Sequence, residues 1–198
     1  MRIRGGCAII AAATARRIRM VERQPYSPLA KALHWIIAAL ALTSLPTGIV
    51  MADLDEGPLQ NNLFVLHESL GVIVLGLMLP RLLARLRHRP GSSADLTPAE
   101  RIVSKATHRG LYLLLIATPI VGWLALSAYG LGPSFFWLGH LPALLAKNEP
   151  LSKQLFELHE SLGWALLALI ALHVAGVIRH RIAGDEVIWR MLPEAWRK

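Results

Sequence analysis

Four long apolar segments alternate with polar, charged segments along the chain. The apolar segments run from about Leu29 to Met51, from Leu63 to Leu83, from Gly110 to Tyr129 and from Leu155 to Ile178. About 20 predominantly apolar residues are enough for a helix to cross the hydrocarbon core of a bilayer. The pattern therefore predicts an all-α integral membrane protein, built as a bundle of four transmembrane helices.

The composition agrees with a lipid environment. Of the 198 residues, 54% are hydrophobic and 17% are charged, whereas soluble domains are roughly 45–50% apolar and about 25% charged. The net charge is +8, but the basic residues lie at the ends of apolar segments, which is unlike a nucleic-acid-binding surface. The single cysteine, Cys7, excludes an internal disulfide, a CxxCH haem attachment and a cysteine-ligated iron–sulfur cluster.

The basic residues also predict the orientation in the membrane. Seven Lys or Arg residues precede or open the first span, and seven more lie at the end of the second span or between it and the third. The first outer loop has only the acidic Asp53, Asp55 and Glu56, and the next has two basic residues, Lys147 and Lys153. Because basic loops stay on the cytoplasmic side, both termini are expected in the cytoplasm.

Residues 1–27 are predicted to be a basic, disordered N-terminal extension. Cys7 to Ala15 is apolar but too short to span a membrane. A signal peptide is the alternative, although no A-x-A cleavage site is evident, and Met20 is an alternative start. Residues 28–193 are expected to form the transmembrane domain, and residues 194–198 a cytoplasmic tail.

Five of the eight histidines lie inside or at the start of apolar segments, where ionisable residues are costly and usually functional. His67 and His159 both stand in a repeated LHESLG sequence, near the outer ends of their spans. His34, His108 and His173 share a depth near the inner surface. Each of the five, taken singly, fits a hydrogen-bonded core histidine equally well.

The spacing of His159 and His173 is the sharpest signal. The two residues are fourteen positions apart, which is roughly 40° short of four helical turns and about 21 Å along the axis. One helix face therefore offers an imidazole at two levels, as a stack of two haems with paired axial histidines requires. Zinc would need three or four ligands that converge at one point. A haem-free transporter with a histidine proton relay is the alternative from another class.

Arginines and small residues near the two levels each allow two interpretations. Arg81, Arg85 and Arg109 lie near the inner level, where they would pair with haem propionates or serve only as topology signals. Small residues would allow close approach of a flat macrocycle or ordinary helix packing; they are Gly48, Gly71, Gly76, Gly122, Gly163 and Gly176.

Four stretches of the chain resemble the bacterial cytochrome b561 family: YSPLAKALHW, the first LHESLG, HRGLYLLL and LHESLGWALLALIALH. The resemblance covers roughly Tyr26 to Pro193. It implies a cytochrome b561-type domain over residues 28–193 with two haem b groups in the bundle core. Their axial iron ligands would be His67 with His159 at the outer level and His34 with His173 at the inner level. His108 would then be available to a quinone headgroup or a proton.

The resemblance also implies a function. The chain would be an electron-transfer oxidoreductase of the bacterial inner membrane, a diheme cytochrome b that passes electrons to or from ubiquinone and is similar to a superoxide oxidase. The alternative is a membrane-anchor cytochrome b subunit that serves a dehydrogenase or hydrogenase as redox partner. The acidic first outer loop is unfavourable to superoxide, so the sequence leaves the electron donor open.

Overall fold

The structure is a computed structural model, and it describes residues 27–87 and 97–183 together with Met191. The expectations for the basic N-terminal extension, apart from Ser27, and for the tail over residues 194–198 fall outside the described residues.

Four long helices make up nearly all of the described chain. They are α1 (Pro28–Asp53), α2 (Pro58–Arg87), α3 (Pro98–Tyr129) and α4 (Glu149–Ile182), with a short 3₁₀ helix at Phe136–Leu138. Polar side chains cap three of the four N-termini. Ser27 caps α1 and Asn148 caps α4, while Thr97 and Glu100 form a reciprocal capping box on α3. A proline in the first turn of each capped helix adds to these start signals.

Each helix is long and apolar enough to cross a membrane. The helices have 26, 30, 32 and 34 residues, which exceeds the requirement of about 20. The prediction of an all-α, four-helix membrane fold is confirmed. The extra length lies in polar ends, such as the first three turns of α3, which precede the apolar segment that begins at Gly110.

The bundle is built from two helix pairs. α1 packs mainly along α2 and α3 mainly along α4, with a smaller contact between α2 and α3. Ile37 on α1 meets Val74 and Met78 of α2 in the buried core. Gly110 on α3 lies against Leu169 of α4, and a Cβ at that glycine would clash with the Leu169 side chain.

Polar contacts join the helix ends that the charge pattern predicts to be inner, here called the inner ends, with the opposite ends called the outer ends. Arg179 near the end of α4 forms an ion pair of 2.6 Å with Glu100 at the start of α3. The Trp35 ring N–H donates a hydrogen bond of 3.1 Å to the carbonyl oxygen of Met191. The start of α1 and the described end of the chain therefore lie on the same side of the bundle.

Candidate functional site

Two histidines from different helix pairs meet near the outer end of the bundle. His67 projects from α2 and His159 from α4, and their ring centroids are 5.9 Å apart with the planes at 89°. Both residues come from a LHESLG sequence. The identical motif therefore delivers one imidazole from each half of the bundle to a common point.

Each of these two rings is oriented by a backbone carbonyl of the neighbouring helix. His67 Nδ1 lies 2.9 Å from the carbonyl oxygen of Ser44 on α1, and His159 Nδ1 lies 2.9 Å from that of Thr118 on α3. Because a carbonyl oxygen only accepts hydrogen bonds, both Nδ1 atoms must carry the proton. The lone pair of each neutral ring is therefore on Nε2, the arrangement that supporting hydrogen bonds give to metal-binding histidines.

A glycine gives each ring the space that it occupies. A Cβ added at Gly48 would lie 2.8 Å from His67 Cε1, and one at Gly122 would lie 2.9 Å from His159 Cε1. Each glycine is four residues after its carbonyl partner, so acceptor and space share one helix face. The sequence carries the signal as a Ser/Thr-x-x-x-Gly pattern at Ser44 and at Thr118, which sequence reasoning missed.

The other small residues do not have this role. Gly76, Gly163 and Gly176 have open space where a Cβ would be, and at Gly71 the nearest neighbour is the Pro119 side chain at 3.9 Å. Of the six glycines selected from the sequence, Gly48 and Gly122 are the two that lie against a histidine.

Three histidines meet at the inner level. The ring of His173 on α4 lies 6.3 Å from that of His34 on α1 and 5.1 Å from that of His108 on α3, measured between centroids. His108 Nδ1 lies 2.6 Å from the Ser104 carbonyl oxygen and so carries the proton there. The structure therefore brings all three rings together. Either His34 with His173 or His108 with His173 could act as a pair of metal ligands.

Arginine and tyrosine side chains surround this inner level. Arg81 donates one hydrogen bond to the Ala30 carbonyl oxygen (2.8 Å) and one to His34 Nδ1 (3.2 Å). The guanidinium groups of Arg81 and Arg85 lie 5.6 and 5.3 Å from the centroid of the Tyr112 ring. Arg109 is exposed. Two of the three arginines selected from the sequence therefore lie beside the inner histidines.

The ring separations can be compared with those of a bis-histidine metal centre. Metal–nitrogen bonds of about 2 Å and roughly 1 Å from each nitrogen to its ring centre give centroids about 6 Å apart. The 5.9 Å of His67 and His159 and the 6.3 Å of His34 and His173 fit this separation. No group of three or more His, Cys, Asp or Glu among the described residues converges closely enough to hold a metal ion.

Imidazole pairs at two depths, held between membrane-spanning helices, are typical of membrane cytochromes b. The model of the family described as prokaryotic cytochrome b561 matches residues 25–194, and the chain belongs to this family. Binding of haem b and a role in electron transfer follow from the family. The four spans place the protein in the bilayer, as a multi-pass protein of the bacterial inner membrane.

Two bacterial proteins are similar to the chain over most of its length. It is 30% identical over 171 residues to "Cytochrome b561 homolog 2" of Escherichia coli (strain K12), covering 84% of this chain and 90% of that protein. It is also 30% identical over 173 residues to "Probable superoxide oxidase CybB" of Yersinia pestis, covering 85% of this chain and 96% of that protein. The chain thus spans nearly the whole length of both relatives.

Proposed function

We propose that the protein is a diheme cytochrome b that carries electrons between the outer and inner sides of the membrane and exchanges them with ubiquinone. The observation that carries the proposal is the His67–His159 pair. Both rings are held through Nδ1 by carbonyls of α1 and α3, both have Nε2 free to bind a metal, and their centroids are 5.9 Å apart. These two residues are the proposed axial ligands of the outer haem.

The proposed ligands of the inner haem are His34 and His173. Their separation of 6.3 Å suits an iron between them, whereas the 5.1 Å between His108 and His173 is too short for two unstrained bonds. A neutral His34 ring that binds iron through Nε2 carries its proton on Nδ1. The Arg81 N–H that now bonds to Nδ1 must then find another acceptor, and a haem propionate is a suitable one.

A haem with two axial histidines supplies one-electron transfer without an open coordination site for oxygen. The chain's own contribution is to set the positions of the two centres. His159 and His173 project from one face of α4 at levels about 21 Å apart, so a single rigid helix spaces the two proposed sites. With the basic segments inside, both termini are cytoplasmic and the LHESLG level is on the outer side. Residues 28–193 form the cytochrome domain in this proposal.

The inner level is the proposed ubiquinone site. His108 is the one inner histidine without an assigned haem, and its Nε2 is left with the lone pair because Nδ1 donates to Ser104. Arg81 and Arg85 lie beside it with Tyr112 between them. Together these groups offer hydrogen-bond donors and an acceptor to the two oxygens of a quinone headgroup.

Superoxide is a second candidate, as electron donor, because one relative is named a probable superoxide oxidase. The charge at the outer ends of the described helices is unfavourable to superoxide as a donor. Residues 53–57 and 147–161 contain six carboxylates and two lysines, a balance that repels a small anion.

Two further alternatives remain: a subunit that anchors a dehydrogenase, and a haem-free transporter. An absorption spectrum distinguishes the transporter, because bis-histidine haem gives a sharp α band on reduction.

We expect about two haems per chain. Pyridine haemochrome absorbance per mole of purified protein measures this ratio directly, with protein quantified by amino-acid analysis. The expectation rests on two separate histidine levels. A reproducible ratio of one in fully loaded protein would contradict it.

We expect His108→Ala to retain both haems and to lose at least tenfold in the rate of ubiquinone-linked turnover. The reason is that His108 contributes a hydrogen-bonding group to the proposed quinone site and not to iron. Haem content, the reduced spectrum and turnover with a soluble ubiquinone analogue are the measurements. The assignment is wrong if His108→Ala loses one haem while His34→Ala keeps both.

A further inference from the structure

The two copies of the LHESLG motif have different surroundings in the same structure. In the first copy, Glu68 and Ser69 are covered by the connection between α3 and α4, and Ser69 is fully buried. In the second copy, Glu160 and Ser161 are both exposed. The sequence is the same and the histidines of both copies meet each other, so the difference lies in what covers the motif.

The first copy binds backbone groups of a hairpin. Residues 133–141 fold back on themselves, with backbone hydrogen bonds of 2.8 Å from Phe135 to Gly139 and from Leu141 to Pro133. Glu68 Oε2 accepts the N–H of Ser134 at 2.6 Å, and Ser69 Oγ accepts the N–H of Phe136 at 2.5 Å. The recognised groups are two main-chain N–H groups two residues apart. The motif therefore binds the backbone of a turn through hydrogen bonds and does not depend on the side chains of that turn.

The second copy has no such turn within the described residues. Ser161 Oγ donates to the Glu157 carbonyl oxygen of its own helix, as Ser69 Oγ also does to that of Val65, but no backbone N–H of a described turn reaches it. Among the described residues Glu160 Oε1 accepts the ring N–H of Trp164 at 3.4 Å. The reason is loop length. The connection that pairing of the two halves would place there, between α1 and α2, consists of residues 54–57, whereas the α3–α4 connection comprises residues 130–148.

We propose that Glu160 and Ser161 are a docking site for a turn of a different polypeptide, which presents two backbone N–H groups two residues apart and carries basic side chains. No described segment of the chain reaches the site, and the stretches outside the described residues all adjoin the opposite ends of the helices. A second copy is a poor occupant because its hairpin is already bound to its own Glu68 and Ser69. Its other outer connection carries Asp55 and Glu56, which Glu160 repels. The same acidic surroundings favour a basic partner.

A soluble mimic of the hairpin tests the recognition. The probe is a disulfide-closed peptide with the sequence of residues 132–141, made basic and soluble by Trp137→Lys and Leu138→Lys. We expect saturable one-to-one binding to the full-length protein in nanodiscs. Binding should weaken at least tenfold in the Glu160→Gln/Ser161→Ala double variant and change less than twofold in the Glu157→Gln control. The proposal would be overturned if the double variant bound the peptide as tightly as the wild-type protein does. It would also be overturned if nanodiscs without protein bound the peptide equally well.

A second test places the missing turn in the same chain and uses thermal unfolding. Residues 54–57 are replaced by a copy of residues 130–148, so that the new hairpin faces Glu160 and Ser161. The added hydrogen bonds to Glu160 and Ser161 should raise Tm by about 2–4 °C. The Glu160→Gln/Ser161→Ala double variant should remove this gain, while the same double substitution leaves the Tm of the unmodified chain unchanged. Native mass spectrometry completes the set, because a dimer that dissociates in Ser161→Ala would identify a second copy as the occupant and refute the proposal. None of these measurements depends on electron transfer, so they are independent of the proposed function.

Discussion

The His159→Ala variant is expected to lose the outer haem and to retain the inner one. Removal of this imidazole leaves His67 without its counterpart in an apolar interior, so the proposed outer site would hold its haem weakly or not at all. The inner site should be largely unaffected because it lies about 21 Å away along the same helix. A potentiometric titration followed at the reduced α band should show one component, where we expect two for the wild-type protein.

Three further variants complete this test of the ligand assignment. His67→Ala should lose the same redox component as His159→Ala, while His173→Ala and His34→Ala should both lose the other. The outer grouping rests on the 5.9 Å ring separation and the inner one on the 6.3 Å separation. If His159→Ala and His173→Ala removed the same component, α4 would not span two haem sites. Haem content and circular dichroism of each variant separate ligand loss from misfolding.

The Gly122→Ala variant is expected to lose most of the outer haem although the substitution adds a single methyl group. The new Cβ would lie 2.9 Å from His159 Cε1, so we expect the imidazole to move and its hydrogen bond to the Thr118 carbonyl oxygen to weaken. Gly48→Ala should act in the same way on His67, where the distance is 2.8 Å. Overpacking of this kind typically costs about 1–3 kcal/mol. Haem content should fall from about two per chain towards one, with the inner component of the titration preserved.

Gly163→Ala is the matched control for both glycine variants. It stands on α4 close to His159 but has open space where its Cβ would be. Alanine is also the better helix former by about 1 kcal/mol, so backbone effects cannot account for a loss seen at Gly48 or Gly122. Full haem retention in Gly122→Ala, or equal loss in Gly163→Ala, would show that the glycine does not make space for the ligand ring.

Much of the fold follows from the sequence alone. Runs of apolar residues long enough to cross a bilayer, separated by charged segments, leave little choice other than membrane-spanning helices, because lipid provides no partners for unpaired backbone groups. The helices extend beyond the predicted apolar segments, most of all in α3, which begins at Pro98. The reason is local: Thr97, Pro98 and Glu100 form a strong start signal in a polar stretch that hydropathy does not detect.

Part of the candidate site was also visible in the sequence. Helical geometry alone indicates that His159 and His173 share a face at two depths, and the repeated LHESLG indicates that His67 lies at the depth of His159. Depth does not say which rings meet, because helices at one level can turn any face inward. At the inner level three histidines share one depth, and the sequence alone leaves the choice between them open. The proposed choice of His34 and His173 follows the family resemblance and is supported by ring separations that depend on how α1, α3 and α4 pack.

The sequence by itself determined the four spans, the all-α class and the levels of the histidines, since these depend on local composition and on the fixed rise and turn of a helix. The tertiary structure alone decided which groups support those histidines. The carbonyls of Ser44 and Thr118 and the space at Gly48 and Gly122 act across helix interfaces, and identical LHESLG copies differ there: one is covered by a hairpin and the other is exposed. Such contacts depend on how helices are rotated and on which loops are long enough to fold over them. A Ser/Thr-x-x-x-Gly pattern marks a helix face that could hold a ring, but it does not say which histidine meets that face.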